Sequence, residues 1–194
     1  MTAVCGRYYL DREVEGDLRR LMGVTVPVTE TGDILPSMNA PVIRGREEKL
    51  LPDIMRWGFP GRAKGQLIIN ARSETALEKK TFEDSVRNRR CVIPARSFYE
   101  WDRDRNRAVF TLEKSRTIFL AGFYKMFELE NRFIILTTAA NESMIMTHPR
   151  MPLMIGENDI KDWIFDDTAV RDFLDASMPQ LTKTQEFEQM RFFL

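Results

Sequence analysis

The residues best suited to chemistry begin with a cysteine near the start of the chain, in the triplet Cys5-Gly6-Arg7. A cysteine inside a chain offers one nucleophile, its thiolate. A cysteine at the first position offers two, because its α-amine and its thiol are on adjacent carbons. Such a pair condenses with an aldehyde: the amine forms an imine, and the thiol then closes a thiazolidine ring. This chemistry requires Cys5 to become the terminal residue, and residues 1–4 precede it.

Three further polar residues could serve such a reaction. Asn70 ends a predicted strand, where a side chain can face a cleft, although an asparagine there can equally satisfy a turn. Glu100 stands between large aromatic residues, and partial burial would favour its protonated form and suit it to acid–base work. A position on the wet face of the strand is the alternative. His148, the only histidine, can shuttle protons near neutral pH, although a lone histidine is often structural.

The other reactive and aromatic residues have simpler explanations. Cys91 lies in an apolar, strand-like run, which predicts a buried structural thiol. Trp57 either belongs to the core or offers a surface on which a base stacks. With one histidine and two cysteines, a multi-histidine metal site is impossible, and the spacing of these residues matches no zinc pattern. We therefore expect no metal and no cofactor.

The composition is that of a protein with an ordinary core. The 194 residues are 43% hydrophobic and 30% charged, which fits one domain over residues 1–194. A formal net charge of zero argues against binding nucleic acid through global charge. The charge is uneven, however: residues 87–107 carry seven arginines against three acids, and residues 156–194 carry nine acids against four bases. One face could therefore meet phosphates, although ordinary ion pairs explain the pattern equally well.

No apolar run is long enough to cross a bilayer, and no basic-then-apolar signal pattern begins the chain. We therefore expect a cytosolic protein.

The residue patterns predict many strands with interspersed helices. Helical spacing of apolar residues predicts a helix over 11–22 with Asp11 as its N-cap, and proline and turn residues predict an irregular loop over 24–45. Strands are predicted at 53–59, 66–71, 91–101, 108–113, 117–126, 132–139 and 152–155. Helical patterns cover 74–88, 141–146, 159–165 and 168–176, and residues 182–194 form a tail or an edge strand. Without βαβ alternation, this order predicts an α+β fold with a mainly antiparallel sheet or barrel and peripheral helices.

Nine short motifs, in order along the chain, resemble those of the SOS response-associated peptidases, the SRAP or abasic-site processing family. They are Cys5-Gly6-Arg7, Met38-Asn39-Ala40-Pro41, Trp57-Gly58, Asn70-Ala71-Arg72-Ser73-Glu74-Thr75, Arg90-Cys91-Val92-Ile93-Pro94-Ala95, Phe98-Tyr99-Glu100-Trp101, Ala121-Gly122, Ile135-Leu136-Thr137-Thr138-Ala139 and His148-Pro149-Arg150-Met151-Pro152. Each motif is weak alone, but their shared order makes coincidence implausible.

The resemblance implies a sensor and shield of abasic sites in single-stranded DNA. In that family the terminal cysteine captures the C1′ aldehyde of the opened deoxyribose as a thiazolidine DNA–protein cross-link, with an AP-lyase side reaction. Cys5 then matches the nucleophile, Asn70 the residue that holds the cysteine terminus and the sugar, and Glu100 the proton-transfer residue. His148 matches a second acid–base group near the sugar and the 3′ phosphate.

The resemblance also implies a DNA-binding surface around these residues. Arg7, Arg72 and Arg150 are candidates for contacts with phosphates, and Trp57 is a candidate wedge against bases where the strand bends. The implied partner is single-stranded DNA with abasic sites, bound by a monomer that is nucleoid-associated while on DNA.

One departure from the family pattern concerns the start of the chain. The family has its cysteine directly after the initiator methionine, whereas residues 2–4 intervene here. While Cys5 is acylated it has no basic amine, and no thiazolidine can form. The family name implies a remedy, self-cleavage before Cys5, and we expect residues 1–4 to be removed as a leader. Two alternatives stay open: a cysteine peptidase acting on other proteins, and a non-catalytic module that binds single-stranded DNA.

Overall fold

The computed structural model describes residues 5–23, 31–113, 116–128 and 130–185. Its strands, in chain order, are β1 (Tyr8–Leu10), β2 (Gly32–Ile34), β3 (Asn39–Arg46), β4 (Lys49–Trp57), β5 (Phe59–Pro60), β6 (Leu67–Ile68), β7 (Asn70–Arg72), β8 (Arg90–Ala95), β9 (Ser97–Trp101), β10 (Arg107–Thr111), β11 (Ile118–Phe127), β12 (Glu130–Ala139), β13 (Arg150–Pro152) and β14 (Thr182–Gln185). Its helices are α1 (Glu13–Met22), α2 (Ser73–Ala76), α3 (Glu83–Asn88), α4 (Ile160–Phe165) and α5 (Val170–Leu174), with a 3₁₀ turn at Glu157–Asp159.

Five strands close into a barrel-like ring. Strand β11 pairs with β8 on one side and with β12 on the other, and β3 and β4 complete the ring. The β4–β12 pair is parallel, whereas the other pairs in the ring are antiparallel. Gly122 on β11 permits this closure, since a Cβ there would lie 2.5 Å from Ile93 Cδ1 and 2.6 Å from the Ile134 carbonyl oxygen. Strands β7 and β13 both pair with β12 and extend the sheet.

A second, antiparallel sheet has the order β14-β10-β9-β1-β2. It places β1 beside β9, with Tyr8 opposite Phe98. The Tyr8 ring packs on Trp57 of the barrel, with ring centroids 5.3 Å apart. Burial of these large rings joins the two sheets, and it fixes the chain that follows Cys5 against both of them.

The buried Arg90 ties the C-terminal helices to the barrel. Its guanidinium donates to the carbonyls of Val86 and Arg87 in α3 and to those of Trp163 and Ile164 in α4. It also donates to a carboxylate oxygen of Asp167, 2.7 Å away. A buried charge persists only when it is paired and hydrogen-bonded in this way.

The predicted α+β class, with a mainly antiparallel, barrel-like core, is confirmed. The predicted strands from 53–59 to 132–139 each correspond to one or two observed strands. The strand predicted at 152–155 is wrong, because β13 ends at Pro152 and Met154 forms only an isolated bridge with Leu120. Run 91–101 divides at Arg96 into β8 and β9, which belong to different sheets. Helix α1 forms where predicted but begins at Glu13, so Arg12 and not Asp11 is its N-cap residue. Asp11 Oδ1 still accepts the backbone N–H of Val14, at 3.2 Å. Residues 182–185 form an edge strand on β10, and residues 186–194 lie outside the described residues.

Three predictions about loops and helices were wrong. The loop predicted over 24–45 contains β2 and β3, because pairing of β2 with β1 and of β3 with β4 and β8 overrides the turn residues. Residues 24–30 lie outside the described residues. The helical pattern at 74–88 divides into α2 and α3. Residues 141–146 form hydrogen-bonded turns rather than a helix, since the Asn141 side chain accepts from Ser143 N and competes with helical bonding.

In the described part of the chain, no helix combines the length and the apolar character needed to span a membrane.

Candidate active site

Cys5 and Glu100 are in direct contact, although 95 positions separate them in the chain. The backbone N–H of Cys5 donates to Glu100 Oε1. Strand pairing creates this contact, because β1 runs antiparallel to β9 and Tyr99 N donates to the Arg7 carbonyl at 3.0 Å. The alternation of side chains along β9 turns Glu100 inward, and the alternative of a position on the wet face is therefore wrong.

Burial dominates the electrostatics of this pair. Cys5 is fully buried and Glu100 is 4% exposed. Burial raises the pKa of Glu100 to about 7, and hydrogen bonds from the backbone N–H groups of Cys5 and Trp101 oppose this shift only in part. Burial, and secondarily the charge of Glu100, raises the pKa of the Cys5 thiol well above its ordinary value. Near neutral pH, Glu100 can therefore both give and take a proton beside the Cys5 nitrogen.

The backbone at Cys5 is strained. Its φ of 50° lies in the left-handed region, which costs a residue with a side chain roughly 1–2 kcal/mol. Strain of this kind is stored where the surrounding structure holds a residue in place. The nitrogen of the peptide bond before Cys5 therefore belongs to a strained residue and lies beside a buried carboxyl group.

Asn70 begins β7, which pairs with β12 so that Asn70 lies opposite Ile135. The residue before it, Ile69, is held by Trp57, whose Nε1 donates to the Ile69 carbonyl at 3.1 Å. Trp57 also packs on Tyr8 of β1. One side chain therefore contacts both the residue before Asn70 and the strand that follows Cys5. The role of Asn70 in holding the cysteine terminus stays a prediction.

Trp57 itself is completely buried, and its ring stacks on Phe133 with an interplanar angle of 6°. A ring without exposed surface cannot wedge against DNA bases. The prediction of a base contact for Trp57 is therefore wrong, and the alternative, a core residue, is right. Its burial follows from its position at the end of β4, inside the barrel.

His148 is oriented by the residues on either side of it. Its Nδ1 lies 3.0 Å from the backbone nitrogen of Arg150 and 3.2 Å from the Arg150 carbonyl oxygen. Its own backbone N–H donates to the Met144 carbonyl at 3.0 Å. The backbone of Arg150 thus engages Nδ1 of His148, while contact of the ring with a sugar stays a prediction.

The three arginines predicted to bind phosphate differ in their surroundings. Arg150 forms a two-pronged pair with Glu74, in which Nη2 lies 2.9 Å from Oε2, and Nη2 also donates to the Thr137 carbonyl. Arg7 pairs with Asp33 at 3.3 Å and lies over the Trp101 ring, 5.4 Å from its centroid. Arg72 is exposed.

Sequence reasoning missed Glu74 and Trp101 as neighbours of the site. Both residues stand inside the matched motifs, so the motifs themselves were the available signal. The bond to Arg150 also lowers the pKa of Glu74. Cys91, as predicted, is a buried thiol, and burial raises its pKa. Over residues 5–23, 31–113, 116–128 and 130–185, no group of three or more potential ligands gathers to hold a metal ion.

The fold and these motifs define a class, and comparison with known proteins identifies it. A sequence model described as SOS response associated peptidase (SRAP) matches residues 4–192. The chain belongs to this family, as the motifs predicted.

Curated relatives agree with this assignment. Abasic site processing protein YoqW of Bacillus subtilis is 30% identical over 191 residues, which cover 89% of this chain and 85% of the relative. Abasic site processing protein YoaM of the same organism is 35% identical over 136 residues, or 63% of this chain and 60% of the relative. The match thus spans less than two thirds of YoaM.

Solved structures share the fold. A protein from Bordetella bronchiseptica superimposes with a TM-score of 0.80, covering 95% of this chain and all of that protein at 22% identity. At this identity the likeness concerns the fold alone.

Proposed function

We propose that this protein captures abasic sites in single-stranded DNA as a covalent thiazolidine, after removing residues 1–4 by self-cleavage. The observation that carries the proposal is the buried contact between the Cys5 nitrogen and Glu100. The names of the relatives, abasic site processing proteins, support the DNA-processing part. One carboxyl, with a pKa of about 7, then serves both reactions at the same nitrogen.

Self-cleavage begins when the Cys5 thiol gives its proton to ionised Glu100 and the sulfur attacks the carbonyl carbon of Val4. The carbon–nitrogen bond breaks as protonated Glu100 gives its proton to the departing Cys5 nitrogen. The products are a thioester and a free α-amine, and one water molecule then hydrolyses the thioester to a carboxylate and the thiol. Release of the left-handed backbone at Cys5 favours bond breakage.

Capture uses the freed amine and the same thiol. The amine adds to the C1′ aldehyde, and the carbinolamine loses water with a proton from Glu100 to give an imine. Addition of the thiol to the imine carbon closes the thiazolidine, so the net reaction releases one water. The imine also acidifies the neighbouring sugar carbon, which accounts for loss of the 3′ phosphate as a lyase side reaction.

The other site residues have supporting roles in this proposal. Asn70 holds the cysteine terminus and the sugar, and His148 acts as a second acid–base group through its Nε2. Arg7 and Arg72 contact phosphates by charge-assisted hydrogen bonds, as does Arg150 if the phosphate displaces Glu74. We further propose a monomer that acts without metal or cofactor.

Burial of Cys5 argues against the alternative of a peptidase that acts on other proteins, because a nucleophile for an external polypeptide must be accessible. For the proposed capture of DNA, the burial of Cys5 means that removal of residues 1–4 must expose this residue. We expect Cys5 to react with a thiol reagent only after loss of residues 1–4, while the buried Cys91 stays unreactive in both forms. If Cys5 reacts as little with the thiol reagent in the trimmed protein as in the untrimmed protein, the proposal is contradicted.

The decisive experiment combines mass spectrometry with a denaturing gel. Freshly made protein should lose residues 1–4, and the trimmed protein should form a heat-stable adduct with an oligonucleotide that carries an abasic site. Cys5→Ala should abolish both reactions and Cys91→Ala neither. An adduct that persists in Cys5→Ala would exclude the thiazolidine, and DNA binding without any adduct would favour the non-catalytic module.

Glu100→Gln supplies the test of acid–base catalysis. We expect it to slow adduct formation by roughly 10²–10⁴-fold, the usual contribution of a general acid, with little change in affinity for intact single-stranded DNA. Trimmed protein should be prepared directly for this assay, so that slow self-cleavage does not mask the effect. Equal losses in rate and in affinity would indicate a structural role.

A further inference from the structure

The segment between Trp57 and Asn70 belongs to a stretch of the chain with one sign of charge. From position 56 to position 72 there are four basic residues, Arg56, Arg62, Lys64 and Arg72, and no acid. Arg56 pairs with Glu130 at 3.7 Å. Among the described residues, the other three form no ion pair.

Two of these charges stand at the tip of a short hairpin, the basic hairpin, made of residues 59–68. Its strands β5 and β6 pair with Phe59 opposite Ile68 and with Pro60 opposite Leu67. Arg62 and Lys64 are exposed on the turn between them.

The basic hairpin is held firmly at its base and at its turn. Phe59 is 1% exposed and packs on the rings of Phe82, Phe123 and Phe127, the last with centroids 5.0 Å apart. In the turn, Gly61 N donates to the Gln66 carbonyl at 2.8 Å. The two charges therefore lie on an ordered element, and binding of a ligand does not carry the entropic cost of ordering a loose loop.

Both ends of the basic hairpin join the candidate active site. Its first strand follows Trp57-Gly58, where Gly58 N donates to the Phe133 carbonyl of β12 at 2.8 Å. Its second strand leads through Ile69 directly to Asn70. Six positions separate Lys64 from Asn70, so their Cα atoms lie at most about 22 Å apart.

We propose that Arg62 and Lys64, at the tip of the basic hairpin, bind backbone phosphates of the single-stranded DNA that flanks the captured abasic nucleotide. The inference rests on the proposed function, which brings DNA to Asn70 and Cys5. Unpaired cations on a rigid turn attract phosphates without first breaking a salt bridge, whereas Arg150 must give up Glu74.

The test compares two double variants that remove the same charge. Arg62→Gln/Lys64→Gln changes the hairpin, and Lys161→Gln/Arg171→Gln changes two exposed cations on α4 and α5. Affinity for an intact single-stranded oligonucleotide, without an abasic site, is measured over a range of salt concentrations. Each lost phosphate contact lowers the slope of log K against log salt by about 0.7 for a single strand.

We expect the hairpin variant to bind severalfold more weakly at low salt, with a slope smaller by about 1.4, and the control variant to bind like the parent. Equal effects of both variants, or no effect of either, would overturn the inference. The assay uses DNA without an aldehyde, so it is independent of capture. If the hairpin variant changes the slope but the parent protein forms no adduct with abasic DNA, the thiazolidine is refuted and the hairpin site is supported. If the parent protein does not bind single-stranded DNA, both proposals are refuted.

Discussion

Glu100 is buried, and the reactions proposed above would use its carboxyl group in both protonation states. Its burial beside a thiol and an amide nitrogen keeps the carboxyl neutral up to about pH 7. A carboxyl with an ordinary pKa would be ionised there and could not act as an acid. The cost of this arrangement appears in the stability of the fold.

Stability should fall as the pH rises through the window in which folded and unfolded chains differ in protonation. In the unfolded chain, Glu100 loses its proton near its ordinary pKa of 4.5. In the folded protein its pKa is about 7, so it keeps the proton to higher pH. Because the folded state binds more protons between these values, folding becomes less favourable as pH rises, by up to about 3 kcal/mol. Glu100→Gln should therefore gain stability relative to the parent between pH 5 and pH 8.

Urea unfolding at both pH values measures this gain, with Glu78→Gln, at an exposed glutamate, as the matched control. A stability difference between Glu100→Gln and the parent that does not change with pH would mean that Glu100 is ionised in the folded protein.

Among the elements, the connection from β4 through Trp57 to β7 sets the position of Asn70. Trp57→Phe keeps an aromatic ring against Phe133 but loses the hydrogen bond to the Ile69 carbonyl. We expect a loss of about 1–2 kcal/mol in the free energy of unfolding, the typical value for a buried bond. We also expect slower adduct formation, because the residue before Asn70 is less firmly held.

Affinity for intact single-stranded DNA should stay unchanged in Trp57→Phe. Guanidinium chloride unfolding and a fluorescence anisotropy titration supply the two measurements. A large loss of affinity with full stability would show that the ring meets bases after all.

The elements also show what sequence could and could not predict. Strands β11 and β12 were predictable, because their β-branched and aromatic residues form long apolar runs. Strand β3 was not, since Pro41 is typical of a turn and the strand forms through pairing with β4 and β8. The matched motifs singled out Cys5 and Glu100 separately, and only the structure shows that the two residues are in contact. They could not distinguish the buried Trp57 from an exposed one, because burial depends on which strands close the barrel.

At the scale of the whole molecule, Arg90 joins the barrel to the C-terminal helices through four carbonyls and Asp167. Its side chain is 2% exposed. Arg90→Met should leave these four carbonyls without this donor and cost about 4 kcal/mol of stability or more, since each unsatisfied buried group costs about 1–3 kcal/mol.

Arg87→Met, which removes only a pair with Glu83 on the exposed face of α3, should cost less than about 0.5 kcal/mol. Thermal unfolding compares the two variants, and the folded fraction of Arg90→Met should form the adduct at the parental rate. Equal melting temperatures would show that the helices do not depend on Arg90.

The span of 95 positions between Cys5 and Glu100 has a consequence for the timing of synthesis. A ribosome delivers Cys5 long before β9 exists, so a nascent chain holds the reactive residue without its acid. If trimming uses this pair, an unfinished or misfolded polypeptide keeps its blocked terminus and stays inert toward aldehydes in the cell. Release of the leader would then report that the chain had reached its native topology.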